Sequence, residues 1–428
     1  MDKYINRIRN TLSYTMAIPR NQEVLNDMNA LAKKLEKNCP KYDVEFVKFD
    51  RNENLNCRMA IVKYLGKEFK VNFFKEPFYK KNQEHLQVYH KLNYAELELL
   101  EKDKLEGITI AMDYYKSRFH PVVCFQVQLK MMCCLIEDMG FCIDFNAERI
   151  LSGVWCTLQA KTSTPPSLKY LYAVQCVGSD TDDNKVWIHT HGLNRCGFIE
   201  YEIMDSNVEL CNSHAMLLSN FCDWVISNPK PIEEYQPVII GRDVNEKDIV
   251  LTWINWSTAN KQYDKMLIGG ANYRDLEHSQ CIGTVYALKD INSTELLPIT
   301  QFDIDNYKTS MTVLPEQENV RISTLAKERF TFLRNWSALS SAKARVKIAL
   351  TIPTELQEKA GCVFEHIWAT LHKLDKTDIY CEILDTPRYL KDVKQGDKIK
   401  VSIDNLSDWY LEVDNMQISP DSVYQLME

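Results

Sequence analysis

The sequence predicts a multidomain α+β protein with mixed or antiparallel sheets and packed helices. A chain of 428 residues exceeds one ordinary hydrophobic core, so two or three compact units are expected. Its apolar content of 45% and charged content of 26% are those of an ordinary globular protein. Strand-like and helical patterns are also mixed along the chain, beginning with a β-α-β-β-β order.

The first predicted unit covers residues 1–105. Residues 11–18 are typical of a strand that ends at Pro19. In 21–37 apolar residues recur at spacings of three and four, which predicts one helix that Pro40 terminates. Three short strands are predicted next, at 44–49, 57–64 and 68–74. Residues 76–105 are charged and helix-prone, and we expect them to form a connecting arm, too polar over 96–105 to be wholly buried.

The second predicted unit covers residues 106–313. It begins with a buried strand, and Pro121 then starts an almost wholly apolar helix that is expected to end at Gly140. The Ser/Thr/Pro-rich segment 161–167 is typical of a surface linker. Further strands are predicted at 107–112, 142–145, 168–177, 185–191 and 198–203 and within 238–297, with a helix at 212–226.

The third predicted unit covers residues 314–428. A helix is expected within 322–333, followed by alternating patterns that predict the strands of a small curled sheet. These strands are expected at 346–351, 365–372, 379–384, 398–403 and 408–411.

The composition of the chain limits the kinds of partner that the protein is expected to bind. The formal net charge is −8, and Lys and Arg are not clustered, which argues against nucleic acid as the ligand. No stretch approaches the roughly 20 apolar residues of a membrane span, and the charged start does not resemble a signal peptide, so a cytoplasmic protein without membrane association is expected. The fourteen cysteines include no Cys-x-x-Cys pair and are expected to be free thiols.

The polar side chains that could bind or react with a ligand are most concentrated in a hairpin predicted at 185–203. Because side chains alternate along a strand, Trp187, His189 and His191 face the same side. Two histidines at this spacing can bind one divalent metal such as zinc, with Cys196, Glu200 or Glu202 as the third ligand. The metal-ligand candidates are therefore His189, His191 and Glu200, although no cofactor is expected.

Two other interpretations of the hairpin stay open. Cys196 can act as a nucleophile, with His189 or His191 as its base and Arg195 lowering the pKa of the thiol or binding an anion. Alternatively, the hairpin is structural, and Arg195 ties the turn to neighbouring carboxylates. The catalytic candidates are His189, His191, Arg195, Cys196 and Glu202.

The chain resembles two families. Glu365-His366-Ile367-Trp368, Gly396-Asp397-Lys398-Ile399-Lys400-Val401 and Ser407-Asp408-Trp409-Tyr410 resemble, in this order, the bacterial domain of unknown function numbered 2314. Trp187-Ile188-His189-Thr190-His191-Gly192-Leu193 and the segment after it are similar to the domain of unknown function numbered 4026. The resemblance implies a domain layout and a bacterial protein, but no activity.

The favoured function is non-enzymatic recognition of a protein partner, as in an immunity-type or adaptor protein. Three α+β units without a cofactor loop or a catalytic triad suit recognition better than turnover. The binding candidates are Trp187, Arg195, Asp408 and Trp409, although turn capping by Asp408 and packing of Trp409 are simpler roles. The alternative is a metal- or cysteine-dependent hydrolase that uses His189, His191 and Cys196.

Overall fold

The computed structural model confirms the α+β class, with three mixed or antiparallel sheets in the part of the chain that it describes. It describes residues 11–50, 57–82, 84–179, 182–228, 230–242, 247–274, 278, 282–301, 311–312, 316–339 and 342–427. The chain divides into two compact units. The first consists of Met1–Lys161 and Pro166–Pro315, and the second of Thr162–Pro165 and Glu316–Glu428.

The first unit contains two sheets. Eight strands form the first sheet: β1 (Ser13–Pro19), β2 (Glu45–Phe49), β3 (Cys57–Tyr64), β4 (Lys67–Tyr79), β5 (Gln87–Val88), β6 (Lys104–Met112), β7 (Met139–Asp144) and β8 (Arg149–Ser152). Their order across the sheet is β2-β3-β4-β6-β1-β7-β8-β5, and all neighbours are antiparallel except β5 and β8. The helices of this part are α1 (Met28–Asn38), α2 (Tyr94–Leu100), α3 (Tyr114–Ser117), α4 (Pro121–Leu135) and α5 (Gly153–Lys161).

The helix predicted over 21–37 is divided in two. A 3₁₀ turn over Gln22–Leu25 comes first, and α1 starts only at Met28. The carboxylate of Asp27 accepts hydrogen bonds from the backbone N–H groups of Asn29 and Ala30, so Asp27 caps a new helix.

The segment 76–105 is part of the first sheet and its core, rather than an arm. It contains the end of β4, β5, α2 and the start of β6. Leu92, Leu99 and Leu105 pack in the core with Phe141 of β7. Glu96 is also buried, because its carboxylate accepts hydrogen bonds from the Ser152 hydroxyl and from backbone N–H groups.

The predicted boundary at 105/106 falls inside β6, which pairs with both β1 and β4. Residues on the two sides of this position therefore belong to one sheet. The apolar helix predicted from Pro121 is present as α4 and is buried almost all round, but it ends at Leu135. Gly140 lies in β7 instead of terminating that helix, because Phe141 and its neighbours pair with β1.

The second sheet has the order β16-β12-β13-β14-β11-β10-β9, with β15 paired to β14. Its strands are β9 (Ala173–Gly178), β10 (Lys185–His191), β11 (Glu200–Asn207), β12 (Val238–Arg242), β13 (Asp248–Asn255), β14 (Ile282–Leu288), β15 (Leu297–Pro298) and β16 (Met311–Thr312). The helices are α6 (Cys211–Ser227) and α7 (Trp256–Ala259). The pairing of β11 with β14 is parallel, and it places Glu200 at the start of β11 beside Ile282.

The second unit is a six-stranded antiparallel sheet with helices. Its strands, in the order β20-β19-β18-β17-β21-β22, are β17 (Lys343–Thr351), β18 (Phe364–Leu374), β19 (Asp378–Ile383), β20 (Lys398–Ser402), β21 (Leu406–Val413) and β22 (Met416–Ile418). Its helices are α8 (Glu316–Glu328), α9 (Phe330–Trp336) and α10 (Thr354–Ala360). Trp409 of β21 is fully buried, and its indole N–H donates to the carbonyl oxygen of Ala326 in α8.

Among the helices in the described residues, none combines the length and the apolar character that crossing a membrane requires.

Candidate metal centre

The hairpin predicted from sequence is present, and a glycine lies on each side of its turn. Strands β10 and β11 pair antiparallel, and a 3₁₀ turn over Leu193–Cys196 joins them. Gly192 and Gly197 flank this turn with φ values of +111° and +88°, a region that side chains with a Cβ rarely adopt. A Cβ at Gly192 would also lie 2.6 Å from the carbonyl oxygen of Leu171. The two glycines therefore fix where β10 ends.

Three histidines meet at the end of β10. His189 and His191 belong to the strand, and His278 comes from the segment before β14. One ligand nitrogen from each lies within 4.8 Å of the other two. His189 is 2% exposed and His191 exposes 11% of its side chain, whereas His278 is partly exposed, so two of the three rings are largely shielded from solvent.

The three rings lie close to the spacing of ligands around one metal ion, with their ligand nitrogens within 4.8 Å of one another. A tetrahedral zinc with Zn–N bonds of about 2.0–2.1 Å separates its ligand nitrogens by about 3.3 Å and its imidazole centroids by about 5 Å. The Nε2 atoms of His189 and His191 are 3.0 Å apart and form a hydrogen bond, in which one ring donates its N–H to the other. The centroids of the three rings are separated by 4.9, 5.1 and 5.2 Å, with interplanar angles of 68°, 89° and 86°. This arrangement can accept a divalent ion with small side-chain movements.

A carboxylate from the first sheet faces the cluster. Glu148 lies in the turn between β7 and β8, and its Oε1 is 3.7 Å from Nδ1 of His191. Its other oxygen accepts a hydrogen bond of 2.5 Å from the side-chain amide of Gln175, which lies opposite His189 in β9.

A buried network holds the other two histidines. The carboxylate of Glu202 is fully buried and accepts hydrogen bonds from the Trp187 indole at 2.9 Å, the Arg274 guanidinium at 2.6 Å and the Thr284 hydroxyl at 2.7 Å. Trp187 stacks on the imidazole of His189, with 3.9 Å between ring centroids.

Arg274 connects this network to the third histidine. Its guanidinium donates to the backbone carbonyl oxygen of His278 at 2.8 Å and lies 3.3 Å from the ring centroid of Trp256. Burial lowers the pKa of Arg274, and the charge of Glu202 opposes that shift. The ion pair of Glu202 and Arg274 therefore positions both the ring that packs on His189 and the backbone that carries His278.

Glu200 points away from the cluster, although it was a predicted metal ligand. Its carboxylate accepts hydrogen bonds from the Thr190 hydroxyl and from the backbone N–H groups of Gly192 and Asn194. Burial raises its pKa to about 7, and these hydrogen bonds work against the shift. The contacts of Glu200 are thus those of a turn-stabilising group.

Arg195 and Cys196 have surroundings that suit structure rather than nucleophilic catalysis. Arg195 is fully buried and pairs with Asp144 of β7 through two hydrogen bonds, of 2.7 and 2.8 Å. Cys196 is also buried, and burial raises the pKa of its thiol to about 12 although the charge of Arg195 favours the thiolate. The side chains of His189 and His191 are on the strand before the turn. The Cys196 thiol donates a hydrogen bond to the Gly192 carbonyl oxygen, at 3.9 Å.

The four predicted binding residues lie mostly inside the protein. Trp187 is 6% exposed, and Arg195 and Trp409 are fully buried. Asp408 is half-buried and accepts a hydrogen bond from the Trp409 backbone N–H, while burial raises its pKa to about 6. Packing accounts for the contacts of the two tryptophans, whereas Asp408, predicted to cap a turn, lies within β21 opposite Lys347.

Sequence reasoning missed His278, Arg274 and Glu148. His278 lies far from the hairpin along the chain and has no ligand-type spacing to His191, so local pattern offers no indication of it. Arg274 and Glu148 act through tertiary contacts, which a local pattern does not encode.

Comparison with protein families assigns almost the whole described chain to domains of unknown function. Residues 13–166 match the N-terminal model and residues 174–286 the C-terminal model of DUF4026, a protein family of unknown function. Residues 323–420 match DUF2314, described as an uncharacterised protein conserved in bacteria. Comparisons with curated proteins and with solved structures find no match. The chain therefore belongs to the DUF4026 family and carries a DUF2314 domain, as its motifs predict.

Proposed function

We propose that this protein binds a divalent transition metal, zinc in the first instance, through His189, His191 and His278. The observation that supports the proposal is the convergence of three imidazoles at the mutual spacing of metal ligands. Neutral imidazoles suit zinc and its neighbours in the first transition series, whereas magnesium and calcium prefer oxygen ligands.

Three protein ligands leave a fourth coordination position. In catalytic zinc sites that position holds a water molecule, whose pKa the metal lowers. The hydrolase alternative predicted from the hairpin therefore depends on the same three side chains. The cysteine-dependent form of that alternative has less support, because the Cys196 thiol is buried and its pKa is raised to about 12.

Substitution of His278 by alanine is the sharpest test of the metal proposal. His278 is partly exposed, whereas His189 is buried against Trp187, so the loop variant is less prone to misfold. An outer-shell partner typically contributes about 10–100-fold to metal affinity, and loss of a direct ligand should weaken zinc binding by more than about 100-fold. Elemental analysis after dialysis and competition with a chromogenic chelator measure the stoichiometry and the affinity.

His372→Ala is the matched control. This histidine is exposed, lies in the second unit and contacts Glu382 at 3.1 Å. We expect one zinc per chain in the wild type and in His372→Ala, and loss of zinc in His278→Ala with an unchanged circular dichroism spectrum. A wild-type protein that retains no stoichiometric metal after loading contradicts the proposal.

We further infer that the adaptor- or immunity-type protein recognition predicted from sequence uses the second unit. On the sheet face opposite buried Trp409, Trp368 and Tyr410 are half-buried, with ring centroids 5.3 Å apart. Lys347 lies 5.8 Å from the Trp368 ring, and Arg345 lies 5.5 Å from the Tyr410 ring. Tryptophan, tyrosine and arginine are the residues most enriched in the energetic centres of protein interfaces, which supports a protein partner.

Trp368→Ala is expected to weaken that complex by about 30-fold, since truncation of an interface hot spot costs about 2 kcal/mol or more. The tagged full chain first isolates the partner from a host lysate, and the affinity of the purified pair is then measured by biolayer interferometry. Tyr94→Ala is the control, because Tyr94 is 82% exposed in the first unit. Equal affinity of the Trp368 and Tyr94 variants contradicts the assignment to this face.

A further inference from the structure

We propose that Glu148 is the orienting carboxylate of the metal ligand His191 and that it couples metal binding to the contact between the two sheets of the first unit. This inference rests on the proposed metal site and adds to it a residue that positions a ligand. It also adds a physical link between occupancy of the site and stability of the unit.

Glu148 lies beside the ring nitrogen of His191 that faces away from His189. Nε2 of His191 faces His189, and Nδ1 of the same ring faces Oε1 of Glu148 at 3.7 Å. Histidines that bind metals generally direct the other ring N–H to a carboxylate, a carbonyl or a water, which fixes the tautomer and raises the basicity of the ligand nitrogen. The carboxylate of Glu148 stands on the side of the ring where such a partner belongs.

The neighbouring carboxylate also determines which ring nitrogen of His191 carries the proton. A negative carboxylate beside Nδ1 favours the tautomer with the proton on Nδ1, and this leaves the lone pair of Nε2 directed at His189. In the metal-free cluster that lone pair accepts a hydrogen bond from Nε2–H of His189 at 3.0 Å, and a metal can bind both Nε2 atoms once His189 carries its proton on Nδ1. Glu148 thus prepares His191 for a metal.

The Glu148 side chain is itself held in place by its neighbours. Its side chain is 22% exposed, so it is partly shielded from solvent, and the Gln175 amide donates to its second oxygen at 2.5 Å. Its backbone φ is +51°, which places the residue in the left-handed region at the sharp turn between β7 and β8. The turn and Gln175 together fix the direction of the carboxylate.

The coupling follows from where these groups lie in the fold. Glu148 lies in the turn between two strands of the first sheet, whereas His191 and Gln175 lie in strands of the second. A metal that strengthens the contact of His191 with Glu148 therefore also strengthens a contact between the sheets. A ligand that binds the folded state alone raises the stability of that state, in proportion to the logarithm of its concentration over its dissociation constant.

Glu148→Gln, which keeps the shape of the side chain and removes its charge, tests this proposal. We expect zinc affinity to fall about 10–100-fold, as for other outer-shell carboxylates. The zinc-induced rise in the thermal unfolding temperature should shrink accordingly, and the visible absorption bands of bound Co²⁺ should shift. Glu106→Gln is the matched control, because it removes another carboxylate of the first sheet, one that pairs with Lys75 at 2.6 Å.

The outcomes separate this inference from the metal proposal. If the wild type and Glu106→Gln bind zinc and Glu148→Gln binds it as tightly, the metal site stands and the role of Glu148 is wrong. A lower unfolding temperature of the metal-free Glu148→Gln variant with unchanged affinity also contradicts the role, since it indicates packing alone. If the wild type binds no zinc, both proposals fail.

Discussion

Arg195→Met is expected to lower the free energy of unfolding of the first unit by about 3–5 kcal/mol, the usual cost of removing one partner of a buried ion pair. Arg195 is fully buried and Asp144 is 1% exposed, so the substitution leaves a carboxylate without its counter-charge inside the protein. The guanidinium also donates to the backbone carbonyl oxygens of Tyr170 and Leu171, and both would lose this donor. Urea denaturation followed by circular dichroism measures the effect.

Arg242→Met is the control for this prediction. Arg242 pairs with Asp248 at 3.0 Å, but the two side chains are 63% and 40% exposed. Exposed ion pairs contribute about 0–1 kcal/mol, so this variant should remain close to the wild type. Similar losses in the two variants would show that the Arg195 pair is not a principal tie between the sheets. A double variant that also replaces Asp144 with leucine should recover part of the loss, because no uncompensated charge is left.

The pairing of Arg195 shows where sequence reasoning reached its limit. From the sequence, Arg195 could act on the neighbouring Cys196 thiol or tie the turn to carboxylates, but the sequence did not name the carboxylate. The structure pairs Arg195 with Asp144, which lies 51 residues earlier and on the other sheet. A buried ion pair over that separation is a property of the packing of the two sheets, and no local periodicity reports it.

The hairpin was predictable because its determinants are local. Alternation of side chains along β10 placed Trp187, His189 and His191 on one face, and the glycines of the turn adopt the positive φ values that their positions require. The family resemblance was likewise confirmed from spaced local motifs.

The third histidine was not predictable, because the parallel pairing of β11 with β14 brings it to the hairpin. That pairing joins strands separated by α6, two other strands and a long connection. His278 precedes β14, so its place beside the end of β10 depends on how distant strands pair and not on the sequence of the hairpin. A sequence pattern restricted to the hairpin had to look for the third ligand among Cys196, Glu200 and Glu202, which the structure engages elsewhere.

The prediction of a connecting arm over residues 76–105 was wrong because charged residues in this segment were expected to stay exposed. Residues 96–105 appeared too polar for burial, and this was wrong for Glu96, which is 1% exposed. A capping box with Asn93 and a hydrogen bond from the Ser152 hydroxyl satisfy its carboxylate. A charged residue can be buried when partners distant in sequence supply its hydrogen bonds, and composition does not reveal those partners.

Glu202→Ala is expected to affect stability and metal binding together. The substitution leaves the Arg274 guanidinium, 1% exposed, without its counter-charge, which should cost about 3–5 kcal/mol of unfolding free energy. It also frees the Trp187 ring that stacks on His189 and the arginine that holds the His278 carbonyl oxygen, so zinc affinity should fall by at least about 10-fold. Urea denaturation without metal and chelator competition measure the two effects.

Thr284→Val tests the hydrogen bond between Thr284 and Glu202 separately from the ion pair between Arg274 and Glu202. The Thr284 hydroxyl donates to Glu202 Oε1 at 2.7 Å, and valine removes this donor with little change in shape. We expect a loss of about 1 kcal/mol in stability and zinc affinity close to that of the wild type, because Arg274 and Trp187 keep their contacts with Oε2. If Glu202→Ala binds zinc as tightly as Thr284→Val, the contact of Arg274 with the His278 carbonyl does not position this histidine.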